Sequence, residues 1–149
     1  MSGSENKIII GSDHGGFEMK EFIKGELEKR GVEIEDAGTN SSDSVDYPVY
    51  AGRVAKAVAS GAIEKGILVC GTGLGVSMTA NRFKGVRAAL CTSVEMARLS
   101  REHNNANILV LGGRTTSTKD ALAILDTWLT TDFEGGRHER RINLIDEIN

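Results

Sequence analysis

The chain has 149 residues and a formal net charge of −3, with acidic and basic side chains interspersed. This length suits one domain with a hydrophobic core, and the charge gives no reason to expect nucleic acid or an anionic membrane as a partner. No apolar run approaches the ~20 residues of a membrane span, and the polar start of the chain is unlike a signal peptide, so we expect a cytoplasmic protein. Cys70 and Cys91 have no paired spacing that indicates a disulfide framework or a metal site.

Apolar runs of strand length and segments of helical periodicity alternate along the chain. The first run, residues 7–11, is β-branched and does not alternate, which is typical of a strand buried on both faces of a parallel sheet. The second, residues 32–37, is less apolar and suits an edge of the sheet. The predicted strands span residues 7–11, 32–37, 66–70, 85–91 and 108–111, and the predicted helices span 17–30, 48–60, 78–82, 92–102, a segment around 121–129, and 137–148.

Five alternations of strand and helix predict a parallel sheet covered by helices on both faces. We therefore expect a single α/β domain over residues 1–149, a Rossmann-like three-layer αβα fold with an extra C-terminal helix. Residues 1–6 are expected to form a flexible extension. Thr92 and Glu95 have the spacing of a capping box, which places the start of the fourth helix at this point.

The third strand ends in Cys70, and three glycines at alternate positions, Gly71, Gly73 and Gly75, lead from it into a helix. Backbone N–H groups at such a turn are unpaired and carry partial positive charge, so the turn suits an anion. The same N–H groups favour the thiolate form of Cys70, which would make it a usable base or nucleophile. The alternative is a packing turn in which Cys70 is an inert, buried side chain.

Two other interpretations of this loop fit the sequence poorly. A dinucleotide fingerprint needs G-x-G-x-x-G after the first strand, whereas G-x-G-x-G follows the third strand here. A cysteine phosphatase loop needs an arginine near its end, where Val76 and Ser77 stand instead.

In open α/β sheets, ligands bind beyond the carboxyl ends of the strands. Asp13 and His14 follow the first strand, Cys70 ends the third, and Arg114 follows the fifth. With His103 and Asn104 close before the fifth strand, we expect the chemically able side chains to gather on one edge. Asp13 alone is better explained as a helix cap ahead of residue 17.

Arg137 and Arg141 share one face of the last helix, at the end where the helix dipole disfavours cations. This placement suits either an anionic ligand or ordinary pairing with surface acids such as Glu134 or Glu139. The three histidines, at positions 14, 103 and 138, have no mutual spacing that would hold a metal.

Several of these segments together resemble, in order and spacing, the ribose-5-phosphate isomerase B family, over about residues 7–146. Galactose-6-phosphate and allose-6-phosphate isomerases look like members of the same group. The segments are Ser12-Asp13-His14-Gly15-Gly16, Asp46-Tyr47-Pro48, Cys70-Gly71-Thr72-Gly73-Leu74-Gly75, His103-Asn104, Gly113-Arg114 and Glu134-Gly135-Gly136-Arg137-His138.

The resemblance implies an enzyme that interconverts ribose 5-phosphate and ribulose 5-phosphate without metal or organic cofactor, in the non-oxidative pentose phosphate pathway. By family analogy Cys70 is the base, His103 helps to open the furanose ring, and Thr72 helps to move a proton between two substrate oxygens. The resemblance also implies that Asp13 and Asn104 hold sugar hydroxyls. The N–H groups that would stabilise the enediolate oxygens are those of Gly71, Gly73, Leu74 and Gly75. The residues that would bind the phosphate are His14, Arg114, Arg137 and Arg141.

The family is dimeric, often pairing further into tetramers, with a site completed across the dimer interface, so a homodimer or tetramer is expected here. Aldose to ketose transfer needs a base, a proton route and stabilisation of an oxyanion in a dry pocket, which fits the thiol and the glycine-lined turn. An alternative substrate is a six-carbon sugar phosphate. The alternative from another functional class is a non-catalytic module that binds a sugar phosphate or nucleotide.

Overall fold

The computed structural model describes residues 6–148, so the predicted flexible extension lies outside the described residues except for Asn6. The side-chain amide of Asn6 donates to the Gly31 carbonyl at 2.9 Å. The strands are β1 (Lys7–Ser12), β2 (Glu33–Asp36), β3 (Lys65–Cys70), β4 (Ala88–Leu90) and β5 (Ile108–Gly112). The helices are α1 (Phe17–Lys29), α2 (Tyr47–Ala59), α3 (Leu74–Ala80), α4 (Val94–Glu102), α5 (Thr118–Thr130) and α6 (Arg137–Asp146).

The five strands form one parallel sheet in the order β2-β1-β3-β5-β4. The predicted edge position of the second strand is confirmed, and β3 lies at the centre. In register, Ser12 lies beside Val69, and Cys70 lies beside Gly112. The ends of these strands define the carboxyl edge of the sheet, and Gly66, Ile108 and Ala88 mark the opposite amino edge.

Successive apolar residues of the central strands face opposite sides of the sheet, and each side packs against helices. On one side Ile10, Ile67 and Leu109 join Ile23 of α1 and Trp128 of α5 in a buried cluster. The other side forms a second cluster, which includes Ile9, Leu68, Val110, Val54, Ala55, Val76 and Ala80. Because each fully buried aliphatic side chain contributes about 1.5–3 kcal/mol, the two clusters hold the three layers together. The predicted αβα fold is confirmed.

Two helices begin elsewhere than the sequence predicts. α3 starts at Leu74 rather than residue 78, because Gly73 takes a left-handed backbone conformation with φ 82° and turns the chain directly into the helix. In α4 the N-cap is Ser93, whose hydroxyl accepts from the Met96 N–H at 3.2 Å, so the predicted Thr92–Glu95 capping box is wrong by one residue.

A buried ion pair joins α1 to the end of β2. Lys20, whose side chain is 0% exposed, donates to Asp36 at 2.7 Å, and Lys24 donates to the same oxygen at 2.9 Å. The other carboxylate oxygen of Asp36 accepts from the Gly38 N–H. Burial raises the pKa of Asp36, but the hydrogen bonds from Lys20, Lys24 and Gly38 outweigh it, so the pKa lies below its ordinary value.

Within residues 6–148, none of the helices has the length and apolar character that crossing a bilayer requires.

Candidate active site

Cys70 ends β3 at the carboxyl edge, and its side chain is part of the core beneath the glycine turn. Its sulfur accepts a hydrogen bond from the Gly73 N–H at 3.1 Å, and the residue is 5% exposed. The pairing of β3 with β5 continues past the strand ends, because Gly113 donates to the Cys70 carbonyl at 2.7 Å and Arg114 to the Gly71 carbonyl at 2.9 Å. The sulfur is therefore held in a nearly dry position, with one backbone donor directed at it.

Arg114 lies over two glycines of the carboxyl edge. A Cβ atom at Gly71 would stand 3.1 Å from its Nη1 atom, and one at Gly15 would stand 3.3 Å from its Cζ atom. A side chain at either position would push the guanidinium aside. Gly15 and Gly71 thus leave the space in which the exposed Arg114 side chain lies near the residues around Cys70.

Asp13 and His14 follow β1 at the same edge. One carboxylate oxygen of Asp13 accepts from the Gly16 N–H at 3.0 Å, so this buried side chain caps the short 3₁₀ turn of residues 14–16. The Nδ1 atom of His14 accepts from the Val45 N–H at 3.1 Å. Nδ1 therefore carries no proton, and the neutral ring has its N–H on Nε2, free to donate to another group.

Thr72 and Tyr47 complete the surroundings of the turn. The exposed Thr72 accepts from the Leu74 N–H at 3.2 Å through its hydroxyl, whose own proton stays available. Tyr47 packs on Gly75, where an added Cβ would come within 2.6 Å of the ring. Tyr47 is not among the predicted site residues, and its only signal in the sequence is the Asp46-Tyr47-Pro48 segment of the resemblance.

His103 and Asn104 lie at the amino edge, so the prediction that they gather with Cys70 on one edge of the chain is wrong. The reason is the direction of the chain: α4 runs back from the carboxyl edge, and His103 is its C-cap, shortly before β5 begins. Cys70 pairs with Gly112 at the far end of β5. At about 3.3 Å per residue, β5 separates the two edges by roughly 13 Å.

A second histidine joins His103 at the amino edge. The rings of His103 and His138 are stacked with centroids 4.3 Å apart and 15° between their planes. Glu134 approaches both rings, with its Oε1 atom 3.8 Å from His103 Nε2 and 3.4 Å from His138 Nε2. The sequence spacing of the histidines gives no sign of this contact, because tertiary packing brings together residues that are far apart in sequence.

The last helix lies along the amino edge. Asp146 of α6 pairs with Arg87, just before β4, at 3.1 Å. Among residues 6–148, no carboxylate lies within ion-pair distance of Arg114, Arg137 or Arg141, so the predicted alternative of pairing with Glu134 or Glu139 is not observed. These three guanidiniums are exposed and available to an anion.

The two cysteines differ in the surroundings of their thiols. Cys91 is fully buried between β4 and α4, and burial raises the pKa of its thiol to about 11, opposed by a hydrogen bond with Ser100. Cys91 therefore stays a thiol at neutral pH, whereas Cys70 is the cysteine beside the polar groups of the carboxyl edge.

Comparison with known proteins gives consistent matches over nearly the whole chain. Residues 8–145 match the family model described as Ribose/Galactose Isomerase. The chain is 49% identical to ribose-5-phosphate isomerase B of Escherichia coli K12, over 95% of each chain. Its structure matches that of a ribose 5-phosphate isomerase from Thermotoga maritima with a TM-score of 0.93, at 57% identity and over 95% and 98% of the two chains.

A further match carries a bound sugar. It is ribose-5-phosphate isomerase B from Mycoplasma genitalium with bound ribulose-5-phosphate, 44% identical to this chain, with a TM-score of 0.90 over 94% of this chain and 93% of that one.

Proposed function

Because the chain belongs to the Ribose/Galactose Isomerase family, we propose that it is an aldose-ketose isomerase that interconverts D-ribose 5-phosphate and D-ribulose 5-phosphate. This reaction belongs to the non-oxidative branch of the pentose phosphate pathway. The observation that carries the proposal is the placement of Cys70: a cysteine at the end of the central strand, under a turn of backbone donors, in a chain nearly half identical to a ribose-5-phosphate isomerase. Both cysteines are free, which agrees with a reducing compartment such as the cytoplasm.

The carboxyl edge supplies the proton transfer. Cys70 as thiolate takes the proton from C2 of the open-chain aldose, and the electrons of the C–H bond form the enediolate. The N–H groups of Gly71, Gly73, Leu74 and Gly75 stabilise the negative charge that develops on oxygen. The Thr72 hydroxyl moves a proton between O1 and O2, and the thiol returns its proton to C1, which gives the ketose. The reaction neither gains nor loses electrons or atoms overall, so it needs no cofactor.

The remaining contacts hold the substrate in place. Asp13 binds a sugar hydroxyl, and the phosphate is bound by the Nε2–H of His14 and by the guanidinium of Arg114. These roles are supported by the tautomer that Val45 imposes on His14 and by the unpaired state of Arg114 among residues 6–148. Binding energy from the phosphate positions the reacting carbon, which lies at the other end of the sugar.

The amino edge supplies ring opening and further phosphate contacts. We assign ring opening to His103, a sugar hydroxyl to Asn104, and the phosphate to Arg137 and Arg141. Since these residues lie at the amino edge and the two edges are roughly 13 Å apart within one chain, the proposal requires a second copy. We propose a homodimer, able to pair further into a tetramer, in which the carboxyl edge of one protomer faces the amino edge of its partner.

Exposed apolar residues support this arrangement. Leu144, Ile145 and Ile148 at the end of the chain and Met78 of α3 are all between 47% and 73% exposed. Exposed apolar side chains of this size are typical of an interface between copies.

Mixing two impaired variants tests both the function and the shared site. Cys70→Ala and His103→Ala subunits, unfolded together and refolded at equal amounts, should recover about one quarter of the wild-type rate with ribose 5-phosphate, because half of the dimers are mixed and each mixed dimer has one intact site. The matched control mixes Cys70→Ala with Asp13→Ala. Both lesions lie on the carboxyl edge, so every site is defective and the rate stays low. Recovery in neither mixture would contradict a site built from two protomers.

A six-carbon sugar phosphate is the second candidate, because the matching family model also covers galactose isomerases. The ratio of kcat/KM for ribose 5-phosphate to those for allose 6-phosphate and galactose 6-phosphate decides between them. The absence of any aldose to ketose activity would overturn the proposal and favour a binding module.

A further inference from the structure

The cluster of His103, Glu134 and His138 brings three potential metal ligands close together. Their nearest ligand atoms all lie within 4.8 Å of one another, and Glu134 Oε1 is 3.4 Å from His138 Nε2 and 3.8 Å from His103 Nε2. In a tetrahedral zinc site with bonds of 2.0–2.2 Å, neighbouring ligand atoms stand roughly 3.3 Å apart. Zinc binding therefore requires one imidazole ring to rotate out of the stack, after which the three atoms, already within 4.8 Å of one another, can reach one ion.

The backbone around the cluster is fixed. The Glu134 N–H donates to the Glu102 carbonyl at 3.0 Å, which attaches the segment before α6 to the last turn of α4. The Arg101 side chain donates to the Thr131 carbonyl at 3.2 Å and holds the same segment a few residues earlier. The three ligands thus come from two chain segments that are tied to each other, which reduces the entropy that metal binding would have to overcome.

We propose that His103, Glu134 and His138 form a binding site for Zn²⁺. Two imidazoles and one carboxylate are a ligand set that zinc accepts when a fourth position is left to water. The side chain of Glu134 is 51% exposed and that of His103 41%, so a hydrated ion can reach the cluster from solvent. Mg²⁺ and Ca²⁺ prefer all-oxygen ligands and should not compete.

Zinc at this cluster inhibits the isomerase, an effect that rests on the proposed function. Zinc binds the lone pair of an imidazole nitrogen of His103, the residue assigned to ring opening. A metal-bound imidazole nitrogen cannot accept or deliver a proton, so the bound ion blocks the opening of the furanose. The product side is different: in ribulose 5-phosphate the C5 oxygen carries the phosphate, so this ketose cannot close a furanose ring and needs no opening.

Binding is tested first, without any activity readout. The full chain is titrated with Zn²⁺ in competition with a chromophoric chelator, and Co²⁺ is added separately to record its visible absorption, whose intensity reports tetrahedral coordination. We expect one Zn²⁺ per chain. Glu134→Gln and His138→Gln should each weaken binding at least about tenfold, since even groups behind the ligands change metal affinity about 10–100-fold. Glu134 is exposed, so its substitution leaves the core intact.

Two control variants separate this site from other zinc ligands. His14→Gln removes the third histidine and Cys70→Ala removes the thiol of the carboxyl edge, the two groups that the proposed dimer would bring closest to the cluster. Both should keep the wild-type zinc affinity. Loss of binding in either control with retention in His138→Gln and Glu134→Gln, or unchanged binding in all four variants, would overturn the proposal.

Activity is then measured in both directions. Zinc should lower the rate with ribose 5-phosphate more than with ribulose 5-phosphate, and Glu134→Gln should reduce this inhibition relative to its own zinc-free rate. Equal inhibition in both directions with zinc bound would refute the assigned cause of inhibition. If the zinc-free protein shows no isomerase activity, the proposed function fails, while the titration still decides the metal site.

Discussion

The carboxyl edge and the amino edge of the sheet carry comparable numbers of the side chains proposed to act on the substrate, but the two edges are built differently. At the carboxyl edge, backbone hydrogen bonds position the groups: the β3–β5 pairing extends through Gly113 and Arg114, and Asp13 caps its own turn. At the amino edge, side chains from separate segments meet, as in the stacked rings of His103 and His138. The first arrangement follows from local sequence, whereas the second depends on tertiary packing.

This difference shows what each edge can contribute to catalysis. Backbone donors fixed by a sheet hardly move, which suits the stabilisation of charge on a reacting oxygen. Side chains such as Arg137 and Arg141 on α6 are exposed and can adapt to a phosphate group. In the proposed dimer, one chain would therefore offer a rigid half-site at its carboxyl edge and an adaptable half-site at its amino edge.

The largest expected effect comes from removing the base of the carboxyl edge. Cys70→Ala should lower kcat about 10²–10⁴-fold, the usual contribution of a general base, while binding of the sugar phosphate is largely kept because the phosphate contacts lie elsewhere. Steady-state kinetics and a direct binding titration measure the two quantities. Cys91→Ala is the matched control and should keep full activity, since burial keeps that thiol protonated with a pKa of about 11. Undiminished turnover in Cys70→Ala would reject the assigned base.

The next effect concerns the support beneath the carboxyl edge. Asp36→Asn removes the closer of the two carboxylates that pair with the fully buried Lys20 among residues 6–148. Breaking a buried pair in this way should lower the free energy of unfolding by about 3 kcal/mol. Urea unfolding measures the change. Lys29→Gln, which removes an exposed ion pair with Glu26, is the control and should stay within about 0.5 kcal/mol of wild type.

The same carboxylate should give acid sensitivity. The pKa of Asp36 in the folded protein lies below its ordinary value of 3.8, so its stabilising contribution is present above that value and is lost as the pH falls through the folded pKa. Wild-type stability should therefore drop below about pH 4, and Asp36→Asn should show a smaller drop. An equal acid dependence in both proteins would contradict the role of this pair.

The smallest expected effect distinguishes ring opening, assigned to the amino edge, from proton transfer, assigned to the carboxyl edge. It is a difference between the rates in the two directions of the reaction. His103→Ala should slow the conversion of ribose 5-phosphate about tenfold more than that of ribulose 5-phosphate. The difference stays below the 10²–10⁴-fold of a full acid–base group because furanose rings also open in water. Initial rates in each direction provide the measurement, with Asn104→Ala as a neighbouring variant that should affect both directions alike. Equal losses for His103→Ala would remove ring opening from this residue.

Much of the fold was predictable because its signals are local. The non-alternating run of β1 predicted a strand buried on both faces, and the apolar spacing in α5 predicted the residues that pack on the sheet, among them Trp128. The start of α3 was missed because only the φ of Gly73, which the structure supplies, turns the chain four residues early.

The site was predictable to the extent that it is local. Cys70 and the glycine turn stand out in the sequence, and the cap formed by Asp13 was foreseen. The separation of His103 from Cys70 was missed because both residues lie next to a strand, but at opposite ends. His103 precedes β5 and so lies at its amino end, whereas Arg114 follows β5 and lies at its carboxyl end. The contact of His103 with His138 has no periodic signal at all, since tertiary packing alone creates it.

The hydrogen bonds that extend β3 and β5 beyond their ends make the Cys70 sulfur and the base of the Arg114 side chain parts of one stiff unit. If Arg114 binds the phosphate while Cys70 removes a proton, the fixed backbone between them limits the length of the sugar that fits. Relatives that accept longer sugars could then keep this backbone unit unchanged and differ in the arginines of the last helix, which the proposed dimer would bring to the site from the partner subunit.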